Sequence, residues 1–313
     1  MIHDLRRRVG RGLARNGRRL AVELANVGLN HDALFRGVGM LNRRVRLIEG
    51  VFLVYPAEER YGHAYAFRRR LNANRWRPWP VGVLWQNRRA TLMFGVSSYE
   101  ELHRDPRNSE QLNALVERMD HLRTMFGAQQ KTFAGALPGI LAGKGILHDP
   151  PEGDLAARMV AQAVEQLLKD DDHPVVVLGG RGFVGRRLVE RLRGAGIREV
   201  IPVDVNDSQA TWPTHLANRP LLLVNVATRS ALSELTEQLW PEVTVLNEVY
   251  PEPGPETLAE LTRKRVDVYH VVGVRAWAVP PFPAAYAGAI PCCAAWPSED
   301  AQVVVRHLNP QVT

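Results

Sequence analysis

Apolar residues open the chain with helical spacing. Ile2, Leu5, Val9, Leu13, Leu20, Leu24 and Val27 fall within an arc of about 100° on a helical wheel. Arg7, Arg8, Arg11, Arg15, Arg18 and Arg19 occupy the remaining surface. Gly10, Gly12 and Gly17 weaken that helix by about 1 kcal/mol each relative to Ala. From Val45 to Val96 the pattern turns to strands: VRLIEGVFLVY and PVGVLWQNRRATLMFGV are rich in β-branched and aromatic residues, and RWRPWP separates them. Helical spacing returns in SEQLNALVERMDHLRTMF through Leu112, Leu115, Met119, Leu122 and Met125. After the break HDPPEGD at 148–154, Asp154 is expected to cap a helix over LAARMVAQAVEQLL.

The C-terminal half then alternates strands and helices. PVVVLGG, a helix from Phe183, REVIPVDV, PLLLVNVAT, a helix through SELTEQLW, VTVLNEVY, a helix from Glu256 and VDVYHVVGV follow in turn. That alternation predicts an α/β fold, a Rossmann-like doubly wound parallel sheet. A smaller α+β or α/β domain is expected to precede it. The expected organisation is a basic substrate or partner domain over residues 1–150, a dinucleotide-binding domain over 151–297, and a crossing segment and tail over 298–313.

Composition narrows the class. With 313 residues, 45% of them hydrophobic, the chain can bury a sizeable core, which excludes wholesale disorder. Its two cysteines are adjacent, Cys292 and Cys293, and neighbours cannot staple distant parts of a fold, so a reducing cytoplasm is the expected compartment. The start of the chain lacks the apolar core of an export signal. The uncharged run Ala276 to Trp296 has spanning length but contains Pro280, Pro281, Pro283 and Pro291, so buried irregular chain is expected there.

Charge is unevenly distributed. Residues 1–100 carry 19 Lys+Arg against 7 Asp+Glu, whereas residues 101–313 carry 21 against 26. The +7 total thus hides a basic first third and an acidic remainder. An anionic partner is expected at the basic end, either an acidic carrier protein or an anionic membrane surface with the protein peripheral to it. No nucleic-acid recognition motif is evident, and no nucleic-acid partner is expected.

The clearest motif is Gly180-Arg181-Gly182-Phe183-Val184-Gly185, between the apolar strand Val175–Leu178 and a helix holding Leu188, Val189 and Leu192. Strand before and helix after are the context that a dinucleotide turn requires. The turn brings backbone close to a pyrophosphate, and the helix N-terminus supplies amides and a positive dipole end. Asp204 ends the next strand, where a carboxylate accepts from a ribose 2′-hydroxyl and repels a 2′-phosphate. NAD is therefore favoured over NADP, although Arg181, Arg186 and Arg187 leave some attraction for phosphate.

Two further stretches resemble a family. VNVATRS at 224–230, with Asn225, Ala227 and Thr228, and VLNEVYPEPGPETL at 245–258 are similar to segments of shikimate-dehydrogenase-like proteins, in which a substrate domain precedes the nucleotide domain. Lys131-Thr-Phe-Ala-Gly-Ala-Leu-Pro-Gly-Ile140 and Ile290-Pro291-Cys292-Cys293-Ala294-Ala295-Trp296 are similar to segments of the aldehyde-forming acyl-(acyl-carrier-protein) reductases. The resemblance covers roughly 150–297 and is poor over 1–110. It implies attack of a cysteine on an acyl thioester, followed by reduction with nicotinamide hydride. It also implies that Asn225, Ala227 and Thr228 shape the cofactor loop.

Residue chemistry adds candidates. A thiolate is the natural nucleophile toward a thioester, and Pro291 suits a first helical turn, so Cys292 and Cys293 are expected in the pKa-lowering field of a helix N-terminus. Lys131, one of four lysines, can stabilise an oxyanion or act as acid or base. His270 ends the strand VDVYH and can shuttle protons; Tyr250 serves packing or chemistry. No zinc-type ligand spacing is present. Three functions remain open: reduction of an acyl thioester to an aldehyde through Cys292 or Cys293, reduction of a small polar carbonyl with Lys131 in play, and non-catalytic dinucleotide binding by a protein docked on an acidic partner or membrane.

Overall fold

The computed structural model describes residues 16–309 apart from 18, 21–22, 25, 64–65, 170, 205–211, 229, 283–285, 287 and 297–300. Ile2, Leu5, Val9 and Leu13 of the apolar stripe lie outside the described residues. The chain divides into two compact units, one of residues 1–150 with Trp277–Pro280, the other of Pro151–Ala276 with 281–313.

The first unit carries helices α1 (Asp32–Val45), α2 (Glu59–Gly62), α3 (Arg68–Ala73), α4 (Glu100–Arg104), α5 (Ser109–Phe126) and α6 (Leu137–Gly143). Its strands are β1 (Ile48–Val54), β2 (Trp79–Gln86), β3 (Arg89–Gly95) and β4 (Gln130–Phe133), joined by the distant β10 (Trp277–Val279), in the order β10-β2-β3-β1-β4. Strand β1 runs parallel to β3 and β4, while β2 runs antiparallel to both β3 and β10. Helix α5 spans the predicted stretch because its apolar residues share one face. Leu112, Leu115, Met119 and Leu122 are buried with Val51, Leu53, Phe94 and Phe133 of the sheet, each burial worth about 2 kcal/mol. Gly127, at φ 64°, ends the helix in the left-handed conformation that an L-residue disfavours.

The second unit contains α7 (Glu152–Leu168), β5 (Val175–Leu178), α8 (Gly185–Gly194), β6 (Val200–Val203), β7 (Leu221–Asn225), α9 (Ala231–Leu235), β8 (Val243–Asn247), α10 (Pro255–Arg263), β9 (Asp267–Arg275), β11 (Ala289–Ile290) and β12 (Val303–His307). Strands β6-β5-β7-β8-β9 form a parallel sheet in that order, and β11 and β12 pair antiparallel with β9. Numbered along the chain, the parallel order is 2-1-3-4-5, the doubly wound order whose direction reverses beside β5. Strands β5 and β7 are buried at every position, which accounts for their unbroken apolar sequences.

Two expectations need correction. Helix α7 begins at Glu152 behind Pro151 without a side-chain cap; Asp154 lies inside the first turn and pairs with Arg187 of α8 at 3.4 Å, so a charge partner outcompetes capping. The run from Ala276 to Trp296 is not uniformly buried irregular chain. Trp277 and Val279 alternate outward on edge strand β10, at 54% and 57% exposure, because an edge strand has one sheet neighbour and one open face.

Candidate functional site

The glycine turn follows β5 at the carboxyl edge of the second sheet. Gly179, one residue ahead of the predicted motif, takes φ +84°, and a Cβ there would stand 2.7 Å from the Cα of Ala227. A Cβ on Gly185 would stand 1.9 Å from the Gly179 carbonyl oxygen. The loops after β5 and β7 therefore touch through backbone, at the point where the strand order reverses. The Arg181 amide donates to Oδ2 of Asp204 at 2.8 Å, which fixes that carboxylate beside the turn at the end of β6. Asn225 Oδ1 accepts from the Ala227 amide at 3.2 Å, and Thr228 is exposed on the same loop.

These residues suit a dinucleotide. The turn is lined by backbone that no side chain can fill, a helix N-terminus follows it, and Asp204 offers its carboxylate at the adjacent strand end. Arg181 and Arg186 are exposed, whereas Arg187 is buried and committed. It donates to the Phe183 carbonyl at 2.7 Å, stacks on the Phe183 ring, and pairs with Asp154. Gly179 was not part of the predicted motif; the signal for it was the double glycine that ends PVVVLGG.

A buried polar row crosses the same sheet edge. Asn225, Asn247 and His270 stand in register on β7, β8 and β9 and are at most 2% exposed. Asn225 Nδ2 donates to Asn247 Oδ1 at 2.8 Å, Asn247 Nδ2 to the Val249 carbonyl at 2.8 Å, and His270 Nδ1 lies 2.9 Å from the Asn247 carbonyl. His270 Nδ1 also lies 3.1 Å from Asn247 Nδ2, so Asn247 meets the ring with both its carbonyl and its side-chain amide. Burial holds the His270 imidazole below its ordinary pKa, against the pull of Glu252, so the ring is neutral and orients the edge.

Beyond that row stands a group that the sequence reading did not single out. Glu248 follows β8, its amide bonded to the Asn225 carbonyl at 3.0 Å. Burial pushes its carboxyl up to about 7. Tyr250 and Tyr286 stack at 5.1 Å, and Phe282 lies 5.3 Å from Tyr286. Burial raises the Tyr286 hydroxyl far above its usual range, and Cys293, Tyr250, Glu248 and Cys292 add to the effect. The cysteine pair, Glu248 and Tyr250 therefore lie within electrostatic reach of Tyr286, the ring on which Tyr250 and Phe282 pack.

The cysteines differ from the expectation in one respect. Cys292–Ala294 is a single 3-10 turn rather than the start of a helix, too short to build the aligned dipole that would acidify a thiol. Burial dominates instead and pushes the Cys292 thiol well up, with Glu248 reinforcing it. Cys292 is 7% exposed, while Cys293 is partly accessible. Lys131 belongs to the first unit, on β4, where its ammonium pairs with Asp120 of α5. Among the described residues no group of three His, Cys, Asp or Glu is placed to hold a metal ion, and no helix is long and apolar enough to cross a membrane.

Residues 175–252 match the family model of the NAD-dependent epimerase/dehydratase family. No curated protein matches the chain. A solved structure described as a malic enzyme (malate oxidoreductase) is similar at a TM-score of 0.34 and 15% identity, over 67% of this chain. The chain spans 63% of that structure's length, and a likeness at this level carries no argument. The family match runs from β5 through β8, the elements that hold the glycine turn, Asp204 and the Asn225 loop. The second unit is therefore a Rossmann-type α/β unit that binds NAD(P).

Proposed function

We propose that the protein is an NAD(P)-dependent reductase that converts an acyl thioester to an aldehyde through a covalent adduct on Cys293. The observation that carries this reading is the company of the thiols. Cys292, Cys293, Tyr250 and Glu248, whose carboxyl titrates at about 7, lie within electrostatic reach of Tyr286, the ring on which Tyr250 and Phe282 pack. Cys292 is buried and held as the thiol, so the accessible Cys293 is the nucleophile. Above pH 7 the Glu248 carboxylate accepts the Cys293 proton. The sulfur forms a bond to the acyl carbon as the carrier's carbon–sulfur bond breaks, and the departing thiolate takes the proton back from Glu248. The aromatic rings supply an apolar contact for the acyl chain. The glycine turn, Asp204 and the Asn225 loop hold NAD(P)H, which supplies hydride when bound. Release of the aldehyde breaks the bond to Cys293 and leaves its thiolate to be reprotonated.

Intact mass after incubation with an acyl thioester, without cofactor, tests this reading. The wild type and Cys292→Ala are expected to gain one acyl group, and Cys293→Ala none. An adduct that persists in Cys293→Ala, or no adduct in the wild type, sinks the covalent mechanism. Reduction of a small polar carbonyl would instead leave both cysteine variants active and make Lys131→Ala the damaging change. Failure of both NADH and NADPH to alter tryptophan fluorescence would overturn the catalytic reading altogether.

A further inference from the structure

The helical stretch that includes Leu20, Glu23, Leu24 and Asn26–Leu29 is packed with its polar side inward. Arg19 Nε donates to the His63 carbonyl at 2.9 Å. Arg70 grips Glu23 with both guanidinium arms, one at 2.9 Å, and Asn26 is 3% exposed. Leu20, Leu24 and Val27, spaced four and three apart on the opposite side, are 55–65% exposed. Helix α1 continues the theme. Phe35, Gly39 and Asn42 face the core, while Leu34, Leu41 and Val45 project from an adjoining stripe, exposed along with Met40. Nine of the fourteen exposed large hydrophobics among the described residues lie between Leu20 and Leu47. A helix that spends its polar face on its own unit and turns leucines outward presents an apolar surface that is exposed among the described residues.

We propose that this face docks on an anionic lipid bilayer. Residues 1–47 hold eleven arginines, no lysine and three acids. Two of those acids, Glu23 and Asp32, pair with Arg70 and Arg118 from outside the segment, so they offset little of its excess positive charge. Arg36, Arg43, Arg44 and Arg46 are exposed on or at the end of α1. Guanidinium groups bind phosphate oxygens in pairs, and their stems lie along apolar surface while the charge reaches the headgroups. A second copy of the chain fits poorly, because a two-fold contact would set the same arginines against each other. A protein partner fits less well than lipid, since none of the nine exposed residues is aromatic and the Trp and Tyr anchors that protein interfaces favour are missing from them.

Flotation of the full chain with vesicles tests the proposal. Phosphatidylcholine mixed with phosphatidylglycerol is expected to carry the protein at low salt, and phosphatidylcholine alone is not. Raising the salt should weaken binding by screening the headgroup charge. Leu20→Gln with Leu24→Gln and Val27→Gln removes the apolar contribution without changing charge, and should lower binding by at least about tenfold. Arg36→Gln with Arg43→Gln and Arg44→Gln should abolish the preference for the anionic lipid. Thermal midpoints verify that the variants fold, and Leu24→Gln alone gives a partial loss should the triple variant fail to fold. No binding to anionic vesicles, equal binding by the glutamine variant, or a dimer that the glutamine variant converts to monomer would each overturn the proposal.

Discussion

Two single residues set opposite pH dependences on stability. His103 on α4 is completely buried, with Nε2 2.9 Å from the Ser98 hydroxyl and its ring against Tyr55 and Trp76. Burial lowers its pKa to about 4, so the folded chain keeps the ring neutral where the unfolded chain protonates it. The resulting stability is present above pH 6.5 and is lost as the pH falls through 4, amounting to about 3 kcal/mol. Glu248 has the opposite sign. Its carboxyl, raised from 4.5 to about 7, favours the folded state below pH 4.5, and that contribution is lost as the pH rises through 7. Between pH 4.5 and 6.5 the two contributions offset, so these groups should leave the wild-type urea midpoint nearly unchanged, whereas the midpoint of His103→Gln should rise on acidification from pH 7 to 4.5. The midpoint of Glu248→Gln should instead fall on acidification from pH 6.5 to 4, because the His103 contribution is then unopposed. Identical profiles for all three proteins would show that neither burial is felt by the fold. Within the proposed mechanism Glu248→Gln should also slow acylation of Cys293 and remove its rise near pH 7.

The glycine turn shows what an element demands of its residues. A methyl group on Gly185 would sit 1.9 Å from the Gly179 oxygen, a clash with backbone that cannot swing aside, whereas Gly194 at the far end of the same helix has open space around it. Gly185→Ala is expected to abolish the quenching of tryptophan fluorescence by NADH and to lower the thermal midpoint. Gly194→Ala should leave cofactor binding intact and be neutral or mildly stabilising. A Gly185→Ala protein that still binds NADH would show that backbone approach is not what the turn provides. The turn was legible in the sequence because strand, glycines and helix are consecutive and their demands are local. Helix α5 and strands β5 and β7 were legible for a similar reason, since full burial of one face or of a whole strand leaves a periodic or unbroken apolar record. Three features were not. Glu248 looks like any polar residue after a strand until the chain around it removes water. The 3-10 turn at Cys292 shares its opening Pro with a true helix, and nothing nearby in sequence marks its length. The inward polar face at residues 19–26 depends on His63 and Arg70, more than forty residues away, so no local periodicity can report it.

At the scale of the whole molecule the chain visits the first unit twice. Residues 1–150 build four strands of its sheet, and Trp277–Val279 returns from beyond β9 to add the fifth against β2. Trp277 stacks on Trp85 with ring centroids 6.0 Å apart, and Gly82 leaves room for the Val279 carbonyl, which a Cβ would meet at 2.2 Å. The second unit needs nothing comparable: β5 to β9, β11 and β12 all lie within 151–313. The two halves should therefore differ when separated. A fragment of residues 151–313 keeps every strand of its sheet and is expected to unfold cooperatively and to bind NADH. A fragment of residues 1–150 lacks β10, leaving β2 with its apolar Val81, Val83 and Trp85 as an open edge, the feature that promotes strand-to-strand association. Sedimentation of that fragment should show self-association that rises with concentration and that a Val83→Lys substitution suppresses by charging the edge. A monomeric 1–150 fragment with the urea midpoint of the first unit in the intact chain would show that β10 is an ornament on a sheet already closed. Association that Val83→Lys suppresses would instead mean that the first unit's sheet is completed only by the segment Trp277–Val279, which the chain supplies after β9.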